Sequence, residues 1–85
     1  MQLGRVIGHA TATVKHAALD GWRLLLVQPL DSAGEGSGDP LLAIEHLGSR
    51  RGDRVLLTSD GRSVRTMLEN DMAPIRWAVI GIIND

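Results

Sequence analysis

Three histidines, His9, His16 and His46, are the side chains in this sequence best suited to bind a metal ion or to act as a general base. Zinc sites place paired ligands a few residues apart on one element. These histidines match no such spacing and fall in separate predicted elements, and the cysteine count of 0 removes thiolate ligands, cysteine nucleophiles and disulfides together. We therefore expect surface histidines, no metal and no cofactor. A small metalloenzyme is the least supported alternative.

Three carboxylates, Asp31, Glu35 and Asp39, are the other groups that could do acid–base chemistry. Catalytic carboxylate pairs need a fixed separation and a cleft. These lie in a Gly- and Ser-rich segment, 31–40, which cannot bury apolar area and is expected to be a flexible surface loop. Its alternating glycines lack the strand-to-helix context of a phosphate-binding loop. The sequence therefore predicts no catalytic residues, and the protein is not expected to be an enzyme.

Arginines form the remaining chemically distinctive group. Arg50, Arg51 and Arg54 cluster around one predicted turn, and Arg62 and Arg65 lie one turn apart on a predicted helix. On a small barrel such loops could bind single-stranded nucleic acid, but such sites stack bases on exposed aromatic side chains. The chain has no Phe or Tyr and a formal net charge of −1. Arginine is also favoured at protein–protein interfaces, which is our preferred interpretation. An OB-like single-stranded nucleic-acid-binding module is the alternative.

The elements that must position these residues follow from the hydrophobic pattern. Runs rich in β-branched and aliphatic residues, separated by turn signals such as Asp20-Gly21, predict strands over residues 3–14, 22–30, 41–47, 54–59 and 75–83. Residues 60–71 instead carry apolar side chains at helical spacing, which predicts a short helix. The sequence therefore predicts an all-β fold, a five-stranded OB-like β-barrel with one short α-helix between strands 4 and 5.

The bulk composition indicates how such a barrel is stabilised. The 85 residues are expected to form one domain, 1–85, and a domain of this size buries only about 60–65% of its unfolded surface. Without disulfides or metals, oligomerisation is the expected source of further burial. The aromatic residues are Trp22 and Trp77, and Trp77 fits a core position and an interface position alike. The sequence shows no secretion signal and no apolar run of membrane-spanning length, so a cytoplasmic location is expected.

An ordered run of short motifs extends along the chain: Met1-x-Leu3-Gly4-Arg5-Val6-x-Gly8, Ala12-Thr13-x-Lys15, Gly21-x-Arg23-Leu24-Leu25-Leu26-Val27-Gln28-Pro29, Ala43-x-Glu45-x-Leu47-Gly48, Gly52-Asp53-x-Val55-Leu56-Leu57, Gly61-x-Ser63-x-Arg65 and Ile80-Gly81-Ile82-Ile83-x-Asp85. Taken in this order, the motifs resemble those of the EutN/CcmL family, the pentameric vertex proteins of bacterial microcompartments. The resemblance covers nearly the whole chain.

The resemblance implies a structural role in a microcompartment shell. A member of this family is expected to form a homopentamer that caps a shell vertex beside hexameric shell proteins, with no nucleic-acid or membrane partner. The resemblance further implies that one segment approaches the fivefold axis, namely Thr58, Ser59, Asp60, Gly61 and Arg62. It also implies that Arg65 and Trp77 lie at subunit contacts.

Overall fold

The computed structural model describes residues 1–10, 22–59 and 75–83, and the structural statements below refer to them. These residues form five strands: β1 Gln2–Ala10, β2 Arg23–Pro29, β3 Leu41–Glu45, β4 Arg54–Thr58 and β5 Trp77–Ile83. Each overlaps one of the predicted strand segments. The predicted helix, 60–71, and the predicted continuation of the first strand, 11–14, lie outside the described residues. In the part of the chain that is described, no helix is long and apolar enough to cross a membrane.

The five described strands close into a barrel with the order β1-β2-β3-β5-β4 around its wall. Neighbouring strands are antiparallel except for β3 and β5, which run parallel and pair Ala43 with Trp77 and Ile44 with Ala78. A parallel pair needs a crossover connection, and the chain makes that crossover by way of β4. This arrangement confirms the predicted all-β, OB-like barrel.

Strand β1 bends so that it serves two neighbours. Residues 2–5 pair with β4, and residues 4–10 pair with β2, with a bulge between Val6 and Gly8. At Gly4 the strand passes close over the interior. A Cβ atom there would overlap Cγ1 of Val27 and lie 3.1 Å from Cδ1 of Leu57. Glycine at this position therefore lets the bent strand close against the core.

The interior of the barrel is aliphatic. Inward and outward side chains alternate along each strand, and the inward cluster has seven members that are at most 1% exposed: Val6, Leu25, Val27, Ala43, Val55, Leu57 and Val79. Leu41, Trp77 and Ile82 are partly buried and pack against this cluster. The core is therefore built mainly from branched aliphatic side chains, as the composition predicts.

A second, smaller cluster lies on the outer wall. Ile44 and Ala78, which are paired across β3 and β5, are fully buried because Trp22, Leu24 and Ile75 pack with them. Part of the outer surface of these two strands is therefore already covered within the single chain.

Candidate functional site

An ion pair closes one end of the barrel interior. Arg23 begins β2 and Glu45 ends β3, and the two residues are directly paired in the sheet. Nη1 of Arg23 lies 3.0 Å from Oε2 of Glu45, and the side chain of Glu45 is fully buried whereas that of Arg23 is 40% exposed. Both occupy inward positions, because each lies two residues from a core side chain on its own strand, Leu25 or Ala43. The aliphatic core therefore ends in a charged layer.

The connection between β3 and β4 supplies further partners for this pair. The backbone N–H of Ser49 donates to Oε1 of Glu45 at 3.1 Å, and Nη1 of Arg23 donates to the carbonyl oxygen of Ser49 at 3.0 Å. Both oxygens of the buried carboxylate therefore have a donor, which offsets the loss of water around the charge. Oγ of Ser49 is itself buried and has no hydrogen-bond partner among the described residues. The network ties the connection to the first residue of β2.

The two described histidines have different surroundings. Nη2 of Arg23 contacts Nε2 of His9, and because a guanidinium group can only donate, this ring nitrogen is the acceptor. The ring of His46 instead packs edge-on against Trp22, with 4.3 Å between the ring centroids. His9 and His46 are both exposed, and His16 lies outside the described residues. Within residues 1–10, 22–59 and 75–83, no group of three His, Asp or Glu side chains is placed to hold a metal ion.

The loop between β2 and β3 carries the three predicted carboxylates. Oδ1 of Asp31 accepts hydrogen bonds from the backbone N–H groups of Ala33 and Glu35 at 2.9 and 3.0 Å. Nε2 of Gln28 on β2 donates to the carbonyl oxygen of Gly38 at 3.0 Å. Residues 31–40 are all exposed. Asp31 thus shapes the loop, in agreement with turn formation, and the flexibility of the loop stays a prediction.

The turn that leads into β4 presents arginines at the surface. Arg50 and Arg51 are exposed. Oδ2 of Asp53 accepts from the backbone N–H of Arg50 at 2.8 Å, and Gly52 adopts a φ of 95°, a conformation that favours glycine. Arg5 reaches this turn from β1, since its Nη1 donates to the carbonyl oxygen of Gly52 at 2.8 Å. That acceptor is a backbone carbonyl oxygen, so the hydrogen bond links β1 to the turn.

Of the residues predicted at the fivefold axis and at subunit contacts, the structure describes Thr58, Ser59 and Trp77, which lie at the same end of the sheet. Thr58 ends β4 and is half-buried, and Ser59 follows it and is exposed. Trp77 begins β5, pairs with Ala43 and packs against the core inside the barrel, which agrees with the core interpretation. Its contact role stays a prediction. Outside the described residues lie Asp60, Gly61, Arg62 and Arg65.

The pair formed by Arg23 and Glu45 is the feature that sequence reasoning missed. A signal for it exists in the strand alternation. The period of two that places Leu25 inward also places Arg23 inward. On β3 the same period places Ala43 and Glu45 on one face of the strand. A charged residue at an inward position of a strand end therefore indicates a polar layer. Which two charged residues meet depends on the strand pairing, because Arg23 and Glu45 are 22 residues apart in sequence.

The described strands form an OB-like barrel whose interior holds an aliphatic cluster and the pair Arg23 and Glu45. The family model for ethanolamine utilisation protein EutN/carboxysome matches residues 1–84. The chain is 35% identical over 85 residues to the bacterial microcompartment shell vertex protein EutN of Salmonella typhimurium, covering 100% of this chain and 85% of that protein. It is 32% identical over 84 residues to the carboxysome shell vertex protein CcmL of Gloeobacter violaceus, covering 99% and 83%. The chain therefore belongs to the EutN/CcmL family.

Solved structures share the barrel. One ethanolamine utilisation protein EutN fits with a TM-score of 0.87 at 35% sequence identity, covering 100% of this chain and 88% of that chain. The GrpN pentameric microcompartment shell protein from Rhodospirillum rubrum fits with a TM-score of 0.83 at 30% identity, covering 100% and 94%. The predicted family is thus confirmed both by sequence and by fold.

Proposed function

We propose that this chain is a structural shell protein, five copies of which form a ring that closes a vertex of a bacterial microcompartment. The observation that carries the proposal is the match along nearly the whole chain to EutN and CcmL, both named shell vertex proteins. The fit to a pentameric shell protein at a TM-score of 0.83 supports the number of copies. The chain covers 85% of that EutN and 83% of that CcmL, which supports the same role.

The construction of the barrel supports an assembly role. Aliphatic side chains fill its interior, and Arg23 and Glu45 close one end, which leaves the outer surface for contacts. Leu42 is 45% exposed there and Ile80 is 41% exposed. A domain of this size has a small core, so covering such side chains with neighbouring subunits adds stability that the single chain lacks.

A ring follows from the geometry of association. An interface that joins two different surfaces of identical subunits repeats head to tail, and it closes into a ring when the rotation between subunits divides a full turn. A five-membered ring placed among six-membered tiles introduces curvature into an otherwise flat sheet. Hexameric shell proteins are therefore the proposed neighbours, and the shell is the proposed location. This role needs no chemical step, so we infer that the chain is not an enzyme.

Native mass spectrometry of the purified chain tests the proposal. We expect a pentamer at micromolar protein concentration. Co-expression with hexameric shell proteins is expected to yield closed shells, whereas the hexamers alone should form open sheets or tubes because vertices are missing. A chain that stays monomeric across the micromolar range, or closed shells that form equally without it, would contradict the vertex role.

The nucleic-acid alternative has its own discriminating measurement. Exposed Arg50 and Arg51 are the motivation for it, and electrostatic binding to nucleic acid is strongest at low salt. A fluorescence-anisotropy titration with single-stranded oligonucleotides at low salt is expected to show no binding. Saturable binding that weakens steeply with added salt would favour the nucleic-acid role over the shell role.

The proposed approach of residues 58–62 to the fivefold axis can be tested by crosslinking. The chain has no cysteine, so a single Ser59→Cys substitution introduces the only thiol. A disulfide needs Cα atoms about 4.4–6.8 Å apart, and subunits that meet at a narrow axis are expected to give covalent dimers on oxidation. Ser37→Cys, in the exposed loop after β2, is the matched control and should give none. An intact pentamer in which Ser59→Cys fails to crosslink would contradict this placement.

The proposed contact residues call for two substitutions. Arg65→Glu reverses a charge and is expected to shift the pentamer toward smaller species at nanomolar concentration. Trp77→Ala also opens the core, because the indole packs inside the barrel, so circular dichroism must show that the variant is folded. If Arg65→Glu leaves the pentamer intact at nanomolar concentration, Arg65 is not an energetically important contact.

A further inference from the structure

Strands β2 and β3 are apolar on both of their faces. On β2, Leu25 and Val27 point into the aliphatic core. Leu24 and Leu26, which alternate with them, point to the outer wall. On β3 the inward and the outward side chains are likewise aliphatic, except for Glu45. A hydrophobic pattern sets the register of a strand when its two faces differ in polarity. Here the faces do not differ, so the aliphatic side chains specify the register of β2 against β3 only weakly.

Charged residues interrupt this apolar pattern at the first position of β2 and the last position of β3. Arg23 and Glu45 lie directly opposite each other in the sheet, and Nη1 of Arg23 donates to Oε2 of Glu45 at 3.0 Å. The other carboxylate oxygen, Oε1, accepts from the backbone N–H of Ser49. In the observed register, a fully buried carboxylate therefore has a donor for each of its oxygens.

The guanidinium group of Arg23 contacts three parts of the barrel besides its own strand. Nη1 donates to Glu45 on β3 and to the carbonyl oxygen of Ser49 after β3. Nη2 contacts Nε2 of His9 on β1. A guanidinium group is planar and its donors have a fixed geometry. All three partners can therefore be reached together only from one position of β2 along its neighbours.

A shift of β2 along β3 would separate the two charges. A shift by two residues keeps every side chain on its own face, but it places Leu25 opposite Glu45 or moves Arg23 opposite Ala43. A shift by one residue turns Arg23 to the outer wall. In each case the buried carboxylate loses its cation, and an unpaired buried charge is strongly destabilising. The ion pair therefore distinguishes between registers that the aliphatic side chains hardly distinguish.

We propose that the ion pair of Arg23 and Glu45 sets the register of β2 against β3. A buried polar residue fixes the register of helices in coiled coils, and here a buried ion pair does the same for two strands. The register also decides which side chains form the outer wall of the barrel, because it places Leu26 opposite Leu42. This function of the pair lies within one chain and is independent of the proposed ring.

Cysteine pairs can report the register, because the chain has no cysteine of its own. Leu26→Cys with Leu42→Cys, the native reporter, places two thiols directly opposite each other in the observed register. Leu24→Cys with Leu42→Cys, the shifted reporter, does so only after a shift by two residues. A disulfide needs Cα atoms about 4.4–6.8 Å apart, whereas diagonal neighbours in a sheet lie about 7–8 Å apart. The fraction of chains with an intramolecular disulfide, measured by mass after denaturation, therefore reports the register in a monomer or a pentamer.

Replacement of both charges by aliphatic side chains tests the pair. In the parent chain we expect the native reporter to oxidise readily and the shifted reporter to oxidise about tenfold more slowly, since its thiols are too far apart. With Arg23→Met and Glu45→Leu added, circular dichroism should show a folded barrel, and the shifted reporter should oxidise about tenfold faster than in the parent. Arg50→Met with Glu35→Leu makes the same replacements at exposed positions and should leave both rates unchanged. A folded Arg23→Met, Glu45→Leu variant with the parent's rates would overturn the proposal.

Glu45→Leu alone provides a second test that does not depend on the folding of the double variant. Arg23 is 40% exposed and can be solvated, so this single variant is expected to fold and to oxidise the shifted reporter faster than the parent does. Glu45→Gln keeps an oxygen that can accept from Arg23 or Ser49 and should retain the original register. Equal oxidation rates of the shifted reporter in Glu45→Leu and Glu45→Gln would overturn the role of the pair. A parent chain that is monomeric but shows this difference would contradict the proposed ring and support the role of the pair.

Discussion

The middle of the barrel interior and its polar end are both lined by inward side chains of β2 and β3, yet the two regions are stabilised in different ways. On β2, Leu25 and Val27 meet aliphatic neighbours from other strands and are fully buried. Arg23 lies two residues before Leu25 and on the same inward face of β2, where it contacts Glu45 and the backbone of Ser49. The aliphatic region therefore depends on volume, and the polar end depends on matched donors and acceptors.

The two regions therefore respond differently to substitution. A shortened aliphatic side chain leaves a cavity whose cost grows with its size. Removal of a polar side chain instead leaves its former partners without a hydrogen bond. The loss of stability then depends on how well water can reach those partners. Arg23 is 40% exposed and can regain water, whereas Glu45 cannot. The predictions below concern apparent stability at a fixed protein concentration, because assembly contributes to it.

The largest effect is expected in the aliphatic region. Leu25→Ala removes a fully buried side chain and should lower the free energy of unfolding by about 3 kcal/mol. In a domain of this size each kcal/mol lowers the melting temperature by roughly 4–8 °C. Leu47→Ala, at an exposed position, is the control and should change stability by no more than about 0.5 kcal/mol. Equal losses for the two variants in thermal unfolding would contradict the burial of Leu25.

A somewhat smaller effect is expected at the polar end. Glu45→Ala leaves the N–H group of Ser49 and the guanidinium group of Arg23 without their acceptor and should cost about 2 kcal/mol. The cost stays below that of a fully buried ion pair because Arg23 can be solvated. Glu45→Gln keeps an oxygen that can accept from Ser49, so it should cost about half as much. A Glu45→Gln variant less stable than Glu45→Ala in denaturant unfolding would contradict this account.

Overpacking near the bend of β1 should cost less still. Gly4→Ala forces Cγ1 of Val27 to move, and we expect a loss of about 1.5 kcal/mol. A double-mutant cycle with Val27→Ala measures the cause, because the smaller side chain makes room for the new methyl group. The double variant should be more stable than the sum of the single effects indicates. Strict additivity would show that the contact with Val27 is not what requires glycine.

The smallest effect is expected at Ser49. Its Oγ atom is buried without a partner among the described residues, so the hydroxyl group adds a cost and no hydrogen bond there. Ser49→Ala keeps the backbone N–H and C=O groups that serve Glu45 and Arg23. We expect a change within about 0.5 kcal/mol, and an increase in stability is the favoured direction. A loss above about 1 kcal/mol would mean that the hydroxyl group is hydrogen-bonded.

Local sequence signals predicted the elements that depend on neighbouring residues. Runs of aliphatic residues identified β2 and β4 as strands, and Leu25 and Val55 within them are fully buried. Glycines inside a strand often mark a bulge, and β1 has one between Val6 and Gly8. The candidate site was harder to predict from the residues themselves, because its proposed members came from a family resemblance. Several of them lie outside the described residues.

The amino-acid sequence alone predicted a small aliphatic barrel without disulfides, since composition and hydrophobic patterning are properties of neighbouring residues. Only the tertiary structure decided that β3 lies beside β5, that Arg23 meets Glu45, and that Gly4 faces the core while Gly8 faces outward. The physical reason is barrel closure, because the register between strands far apart in sequence depends on how all side chains pack at once.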